Sequence, residues 1–438
     1  MRPIFAALVM LALGCAPDAP TLAFRVHGAP PDAPFSSADA LVVALEQRGV
    51  VIAGTERSVP RDASALELGD LPFGTDLAIR VEARLGEIVL ARGRSFPFDY
   101  PRHDAPPPRD PDVLIGTLGR FATPLEGTLD APPRLIAPTA DGARIATDHA
   151  LLAYRAHDPQ GGAALEVIAE VPSERAGAAW IALGEDTWAL GGAASGLTRF
   201  DALGAREELA LEGVVIAAAA LPDGVIAWRD DGDVLRIDAR DVVTTLANVG
   251  APTASARVLV VPARSADRDV TRALMLDDAR AIVIDPEGVE PPSIVALDVP
   301  RTGRVAAVVG TGLVLLAGGR DVAGAVTDEV ALWVLRPERS PALERVSPAP
   351  PPLFRARADA AVASFGEGLL LVAGGTDALG APLASAELVD VTVFPGDVVA
   401  TGAMPFPDAL PRASALHDRT VLVAGEGGLG VYFPPRGE

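Results

Sequence analysis

The runs Leu313–Gly319 (LVLLAGG), Leu369–Gly375 (LLLVAGG) and Thr420–Gly428 (TVLVAGEGG) decide the fold. Each is an apolar, strand-like run ending in small residues, and Gly318, Gly374 and Gly425 recur at roughly 50-residue spacing. A period of that size means an array of sheet units that cannot bury their apolar faces alone, such as propeller blades. On either side of these runs, short apolar strands alternate with turn signals from Asp112 onward: Gly184-Glu185-Asp186, Pro222-Asp223-Gly224, Asp230-Asp231-Gly232 and Gly366-Glu367-Gly368. No helical periodicity of useful length interrupts them. Even spacing over roughly 300 residues favours a propeller over a sandwich, and one closed ring can absorb that length.

Upstream the rhythm differs. Leu22–Val26, Leu41–Leu45, Val50–Ala53, Leu77–Val81 and Ile88–Ala91 read as short strands, and Leu77, Ile79 and Val81 alternate with Ala78, Arg80 and Glu82. These predict a small β-sandwich over 22–100. The stretch Leu71–Val81 resembles the late strands of immunoglobulin-like or fibronectin type III modules. Pro101–Pro111, with five prolines, reads as an extended, semi-rigid linker, which leaves 112–434 for the propeller.

The first fifteen residues read as a processing signal. Arg2 precedes an apolar stretch, Ile4–Leu13, too short to span a bilayer. It runs into Ala12-Leu13-Gly14-Cys15, which resembles a bacterial lipobox, although Ala12 stands where that pattern prefers leucine. The resemblance implies cleavage before Cys15 and acylation of it, and Cys15 is the only cysteine in the chain. Several acyl chains anchor a protein stably without a transmembrane helix. Ala16 after the cysteine, by resemblance to Gram-negative lipoproteins, favours the outer membrane. A secreted or soluble periplasmic chain is the alternative.

A second resemblance covers residues 300–433. Thr401–Pro405, Pro411–Ala415 and the run from Thr420 resemble the end of one kelch blade and the start of the next, and Ala384–Asp390 resembles a third strand of such a blade. Pro300-Arg301 and Pro411-Arg412 open two copies, with Arg355 and Arg357 in a similar place; Arg175–Gly177 leading to Thr187–Gly192 is an earlier one. Where kelch blades carry a tyrosine, this chain has Val389, and Trp333 stands for the tryptophan in the preceding blade. Blade starts near Arg144, Arg175, Gly213, Arg257, Arg301, Arg357 and Arg412 give seven blades, with six as the alternative. A strand over 113–118 or nearby is expected to complete the last blade and close the ring, removing a free sheet edge. The fold class is therefore all-β: a kelch-like propeller behind a small immunoglobulin-like sandwich.

Composition narrows the chemistry. Apolar residues make up 49% and aromatics only 5%, so the interior must be built from Ala, Val and Leu. The formal net charge is −21, with arginine supplying all 37 basic residues. No basic patch stands apart in the sequence, which argues against nucleic acid as a partner. The segment Gly425–Gly430 matches GxGxxG, but no helix can follow it to receive a pyrophosphate, so it reads as a blade turn. Five histidines without paired spacing, and no cysteine once the signal is removed, leave no metal set of common form. The copper radical oxidases among kelch-type propellers need a tyrosine–cysteine crosslink that the processed chain cannot supply. Asp230–Asp233 falls short of a calcium loop, and Ser195 lacks a nucleophile-elbow frame. No cofactor is implied.

The remaining candidates are loop residues. Arg320-Asp321 and Thr376-Asp377 follow the double glycine at matching places in two blades, so Arg320, Asp321, Asp328 and Asp377 are candidates for a binding rim around the channel, against the alternative that they only form turns. The expected role is a lipid-anchored, non-catalytic binding or scaffold module for a protein or glycan at the cell envelope, with the membrane reached through the lipid alone. A sugar-processing periplasmic enzyme of epimerase or glycosidase type, or a docking platform for outer-membrane assembly, are the alternatives. The sequence leaves the oligomeric state open.

Overall fold

The computed structural model describes residues 24–28, 37–60, 74–100, 111–122, 127–155, 165–265, 268–366 and 368–435. Cys15 with its signal and residues 101–110 of the expected linker lie outside them. The described chain is all-β apart from one short 3-10 turn at Ser173–Arg175. Among the described residues no helix is long and apolar enough to cross a membrane.

Seven four-stranded antiparallel sheets follow one another from Leu135 to Phe433. Their inner strands are Leu135–Thr139, Ala179–Leu183, Val215–Leu221, Arg257–Ser265, Val305–Gly310, Ala361–Ser364 and Arg412–Ala415, numbered here as blades 1 to 7. Each inner strand contacts the next, and that of blade 7 contacts that of blade 1, so the array closes as a seven-bladed β-propeller. Sequence placed the inner strands of blades 2 to 7 within four residues or so; Arg144 instead lies in the second strand of blade 1, Gly142–Ala146.

The second strands explain why the repeat is visible in sequence. A strand covered on both faces reads as a continuous apolar run, not as an alternation. In Leu313–Ala317, Val314 and Leu316 enter the layer shared with blade 4, while Leu315 and Ala317 enter the layer shared with blade 6. The same division holds for Leu369–Ala373, where Leu370 and Val372 face blade 5 and Leu371 and Ala373 face blade 7. One apolar layer lies between each neighbouring pair, seven in all, built mainly from Ala, Val, Leu and Ile.

Closure differs in detail from the sequence expectation. The strand Asp112–Thr117 does not join the last blade; it pairs with Ile88–Ser95 and, in parallel, with Arg25–Gly28. Val113 and Ile115 are buried in the N-terminal core, which is why that run belongs there. The chain then turns at Leu118-Gly119, and Arg120–Phe121 supplies the outer strand of blade 7 against Tyr432 and Phe433.

The N-terminal strands form one mixed, hydrogen-bonded eight-stranded sheet. One face carries the apolar core of Leu41, Val43, Leu45, Ile79, Val81 and Ile115. The other carries Glu46, Arg80, Glu82, Arg92 and Arg94 and meets the first hairpin of blade 7: Arg94 pairs with Glu46 at 2.8 Å and donates to the carbonyl of His417 at 2.6 Å.

Candidate functional site

The loops leading into the inner strands and those joining second to third strands share one face of the ring. The glycine pairs shape that face. Gly191-Gly192, Gly318-Gly319 and Gly374-Gly375 all have positive φ, which only glycine adopts without strain. A Cβ on Gly318 would lie 2.3 Å from the carbonyl oxygen of Arg357, and one on Gly375 2.3 Å from that of Ala358. Backbone therefore packs on backbone: Gly319 N–H donates to Arg357 O at 2.9 Å and Gly375 N–H to Asp408 O at 2.9 Å, tying each blade to the next lead-in loop.

Arginines in the lead-in loops lock the same region. Arg357, fully buried, pairs with Glu387 and donates to the carbonyls of Gly374 and Ser385. Arg175 does the equivalent in blade 2, reaching Glu208 at 3.1 Å, Thr198 at 2.7 Å and the carbonyls of Gly191, Ala194 and Ser195. Arg301 pairs with Glu329 in blade 5. In Arg357 and Arg175 all three guanidinium nitrogens are committed to fold contacts, so these are structural clasps.

Of the loop candidates, the structure brings Arg320 and Asp377 together. Arg320 in blade 5 donates to Thr376 Oγ1 and to the carbonyl of Asp377 in blade 6, both at 3.3 Å. The carboxylate of Asp321 accepts the N–H groups of Ala323 and Ala325, and that of Asp377 accepts those of Leu379 and Ala381, all within 2.8–2.9 Å. Both aspartates shape their own turns, the usual local role of this side chain. Asp328 is exposed in the same loop as Asp321. The turn tips they support present Val322 and Leu379, which are 92% and 93% exposed.

The axis of the ring holds different residues. Arg412 begins the inner strand of blade 7 and Arg257 that of blade 4, three places away around the ring. Burial pushes the Arg412 guanidinium down to about 10, and the charges of Arg257 and Arg134 push the same way. Burial also lowers Arg257, opposed by the charge of Asp359. Arg134, at the start of blade 1, is neutralised by a bidentate pair with Asp148 at 3.0 and 2.6 Å. Arg257 and Arg412 have no carboxylate at ion-pairing distance among the described residues; the one hydrogen bond of the Arg412 side chain goes to the carbonyl of Pro411.

Asp359, two residues ahead of the inner strand of blade 6, carries a charge that acts on both arginines. Its φ is +60°, a conformation costly for a side-chain-bearing residue, and it is fixed by its N–H to the carbonyl of Gly303 at 2.7 Å. Sequence reading used Arg257 and Arg412 as blade markers and passed over Asp359. Their position at the first turn of an inner strand, in a chain whose other arginines mostly have acidic partners nearby, was the signal available.

The GxGxxG match falls where the sequence put it. Gly425 and Gly428 pair directly across a two-residue hairpin of Glu426 and Gly427, so the GxGxxG match is a blade turn. Among the described residues no group of three His, Cys, Asp or Glu side chains is placed to hold a metal ion.

No protein-family model matches the chain, and no curated protein matches it. Solved structures do. A streptogramin B lyase matches at a TM-score of 0.51 and 11% identity, over 69% of this chain and 95% of that one. A catalytically inactive virginiamycin B lyase from Staphylococcus aureus, with quinupristin, matches at 0.48 and 12% identity over 70% and 96%. At 11% identity the likeness to the streptogramin B lyase is one of fold, in agreement with the seven-bladed propeller seen in this chain.

Proposed function

We propose that this is a kelch-type propeller, exported and tethered through Cys15 to the outer membrane, that binds a protein or glycan of the cell envelope at its channel mouth without transforming it. The observation that carries the reading is the pair Arg257 and Arg412. Both begin inner strands, which line the channel of a propeller, and neither has a carboxylate at ion-pairing distance among the described residues. A guanidinium donates hydrogen bonds in a fixed fork and keeps its proton at neutral pH, so it holds a ligand and does not act as acid or base. Arg412, though lowered to about 10, stays charged there. The rigid lead-in loops around it suit a preformed site.

The test is to incubate the full chain with envelope glycans and peptide fragments, recover what it retains, and weigh it by mass spectrometry. Retention with unchanged mass, lost in Arg412→Gln, is the expected result. A product that accumulates with time would make the channel a catalytic site and overturn the reading. Metabolic labelling with a radioactive fatty acid, lost in Cys15→Ser, tests the tether separately.

A further inference from the structure

We infer that the cleft between the end of blade 4 and blade 5 binds a chloride-sized monovalent anion, held by the indole N–H of Trp333 and the guanidinium of Arg304. Leu297–Val299, beyond the outer strand of blade 4, and Trp333 of blade 5 line a cavity of about 30 Å³ together with Arg301, Arg304, Glu329 and Arg345. That room takes one or two water-sized occupants and keeps a phosphate or a sugar ring out of its interior.

The carboxylates in the lining are already bonded. Glu329 accepts from Arg301 and from Arg345, each at 2.5 Å and through a different oxygen, and Asp298 accepts from Arg345 at 2.7 Å. The donors are not all used. The indole nitrogen of Trp333 is buried without a hydrogen-bond partner, in a residue only 6% exposed. Of the three indoles in that condition, Trp180, Trp188 and Trp333, the last lines this cavity. Trp228 shows the usual arrangement, donating to the carbonyl of Gly250 at 3.2 Å. Arg304 donates from one nitrogen to the carbonyl of Val299 at 2.7 Å and has no carboxylate at ion-pairing distance among the described residues. Burial and the charge of Arg301 hold its guanidinium below its ordinary value, against the pull of Glu329, Asp278 and Asp298.

Formal charge does not select the ligand, since three guanidinium groups face Asp298, Glu329 and, beyond the lining, Asp278. Asp298 is 61% exposed, so solvent screens much of its charge. Unfilled donors decide instead. A buried donor without an acceptor is costly, and an anion between Trp333 and Arg304 would serve both. Water is the poorer occupant, because it brings two hydrogens of its own to a lining short of acceptors. The apolar side chains of Leu316 and Ala331 in the same lining keep the local dielectric low and strengthen the contact. Bound there, the ion would tie the chain leaving blade 4 to the third strand of blade 5.

Crystals of the full chain soaked in sodium bromide test this, because bromide replaces chloride and scatters anomalously. The expected result is a bromide peak within hydrogen-bond distance of both Trp333 Nε1 and Arg304. In solution, the thermal midpoint should rise further in sodium bromide or chloride than in sodium gluconate at equal ionic strength, whose anion is too large for the cavity, and should level off as the site fills. Trp333→Phe, which keeps a ring and removes the N–H, and Arg304→Gln should each abolish the peak and remove the halide advantage, with folding checked by circular dichroism. Water alone in the cavity, a peak that survives both variants, or a midpoint that follows ionic strength and not the anion would each overturn the inference. Where a variant fails to fold, the peak in the unaltered chain decides.

Discussion

The main-chain N–H of Gly319 donates to the carbonyl oxygen of Arg357 at 2.9 Å, so the end of a second strand in blade 5 is bonded directly to the loop that leads into blade 6. The neighbouring Gly318 touches the same carbonyl. This contact is why the motif is a pair of glycines: one must turn into positive φ, and both must let backbone approach backbone. Gly318→Ala meets both strain at φ +62° and a Cβ 2.3 Å from Arg357 O. Gly184→Ala, at φ +59° in open space, meets the first alone. Urea denaturation is expected to show a loss of about 1–2 kcal/mol for Gly184→Ala and roughly twice that or more for Gly318→Ala. Equal losses would mean the inter-blade contact is soft.

The buried pair of Arg357 and Glu387 makes a second test. Arg357→Leu strands a carboxylate that is 2% exposed, an expected loss of roughly 3–5 kcal/mol. Adding Glu387→Leu should recover part of it only, because the N–H groups of Phe354 and Arg355 then lose the acceptor they reach at 2.6 and 3.2 Å. Full recovery in chemical denaturation would show that these two bonds contribute little.

Ring closure rests on a short relay. Tyr432 and Thr401 hydroxyls meet at 2.7 Å, and Thr401 Oγ1 donates to the carbonyl of Gly119 at 2.8 Å, just before the strand that completes blade 7. Tyr432→Phe removes one bond, at about 1 kcal/mol. Thr401→Val should cost more, since it leaves both the buried Tyr432 hydroxyl and Gly119 O without this partner. Thermal unfolding midpoints in that order check the relay.

The joint between the N-terminal sheet and blade 7 is expected to respond to pH. Burial pushes the Asp418 carboxyl up to about 6, against the hydrogen bonds from Thr420 and the charge of Arg94. A carboxyl that binds its proton more tightly folded than unfolded stabilises the fold below its unfolded value of 3.8, and that contribution is lost as pH rises through about 6. Asp418 should therefore cost stability at neutral pH, on the order of 2–3 kcal/mol. Asp418→Asn keeps an acceptor for Thr420 and should flatten the dependence, read from denaturation midpoints at about pH 4.5 and about pH 7.

Much of the scaffold was legible because a strand buried on both faces leaves an uninterrupted apolar run, as in Leu313–Ala317 and Leu369–Ala373. The blade count came from expected blade starts between Arg144 and Arg412, most of them arginines. Asp112–Thr117 was assigned to the ring because an apolar strand near the start can serve either sheet; only its pairing with Ile88–Ser95 decides, and pairing is not a local property. The site was less legible. Arg320 and Asp377 stood out by their repeat position, yet repeat position marks what every blade needs, and the two aspartates prove to hold turns. Arg257, Arg412 and Asp359 share no motif and belong to three different blades, so nothing local in the sequence relates them.

Ligand is expected at the channel mouth, on Arg257 and Arg412. The most direct measurement is a crystal structure of the full chain with whichever envelope fragment it retains. The expected result is that fragment within hydrogen-bond distance of both guanidinium groups. Density for it on the Val322 and Leu379 turn tips, or at the joint with the N-terminal sheet, with water alone at the two arginines, would contradict it.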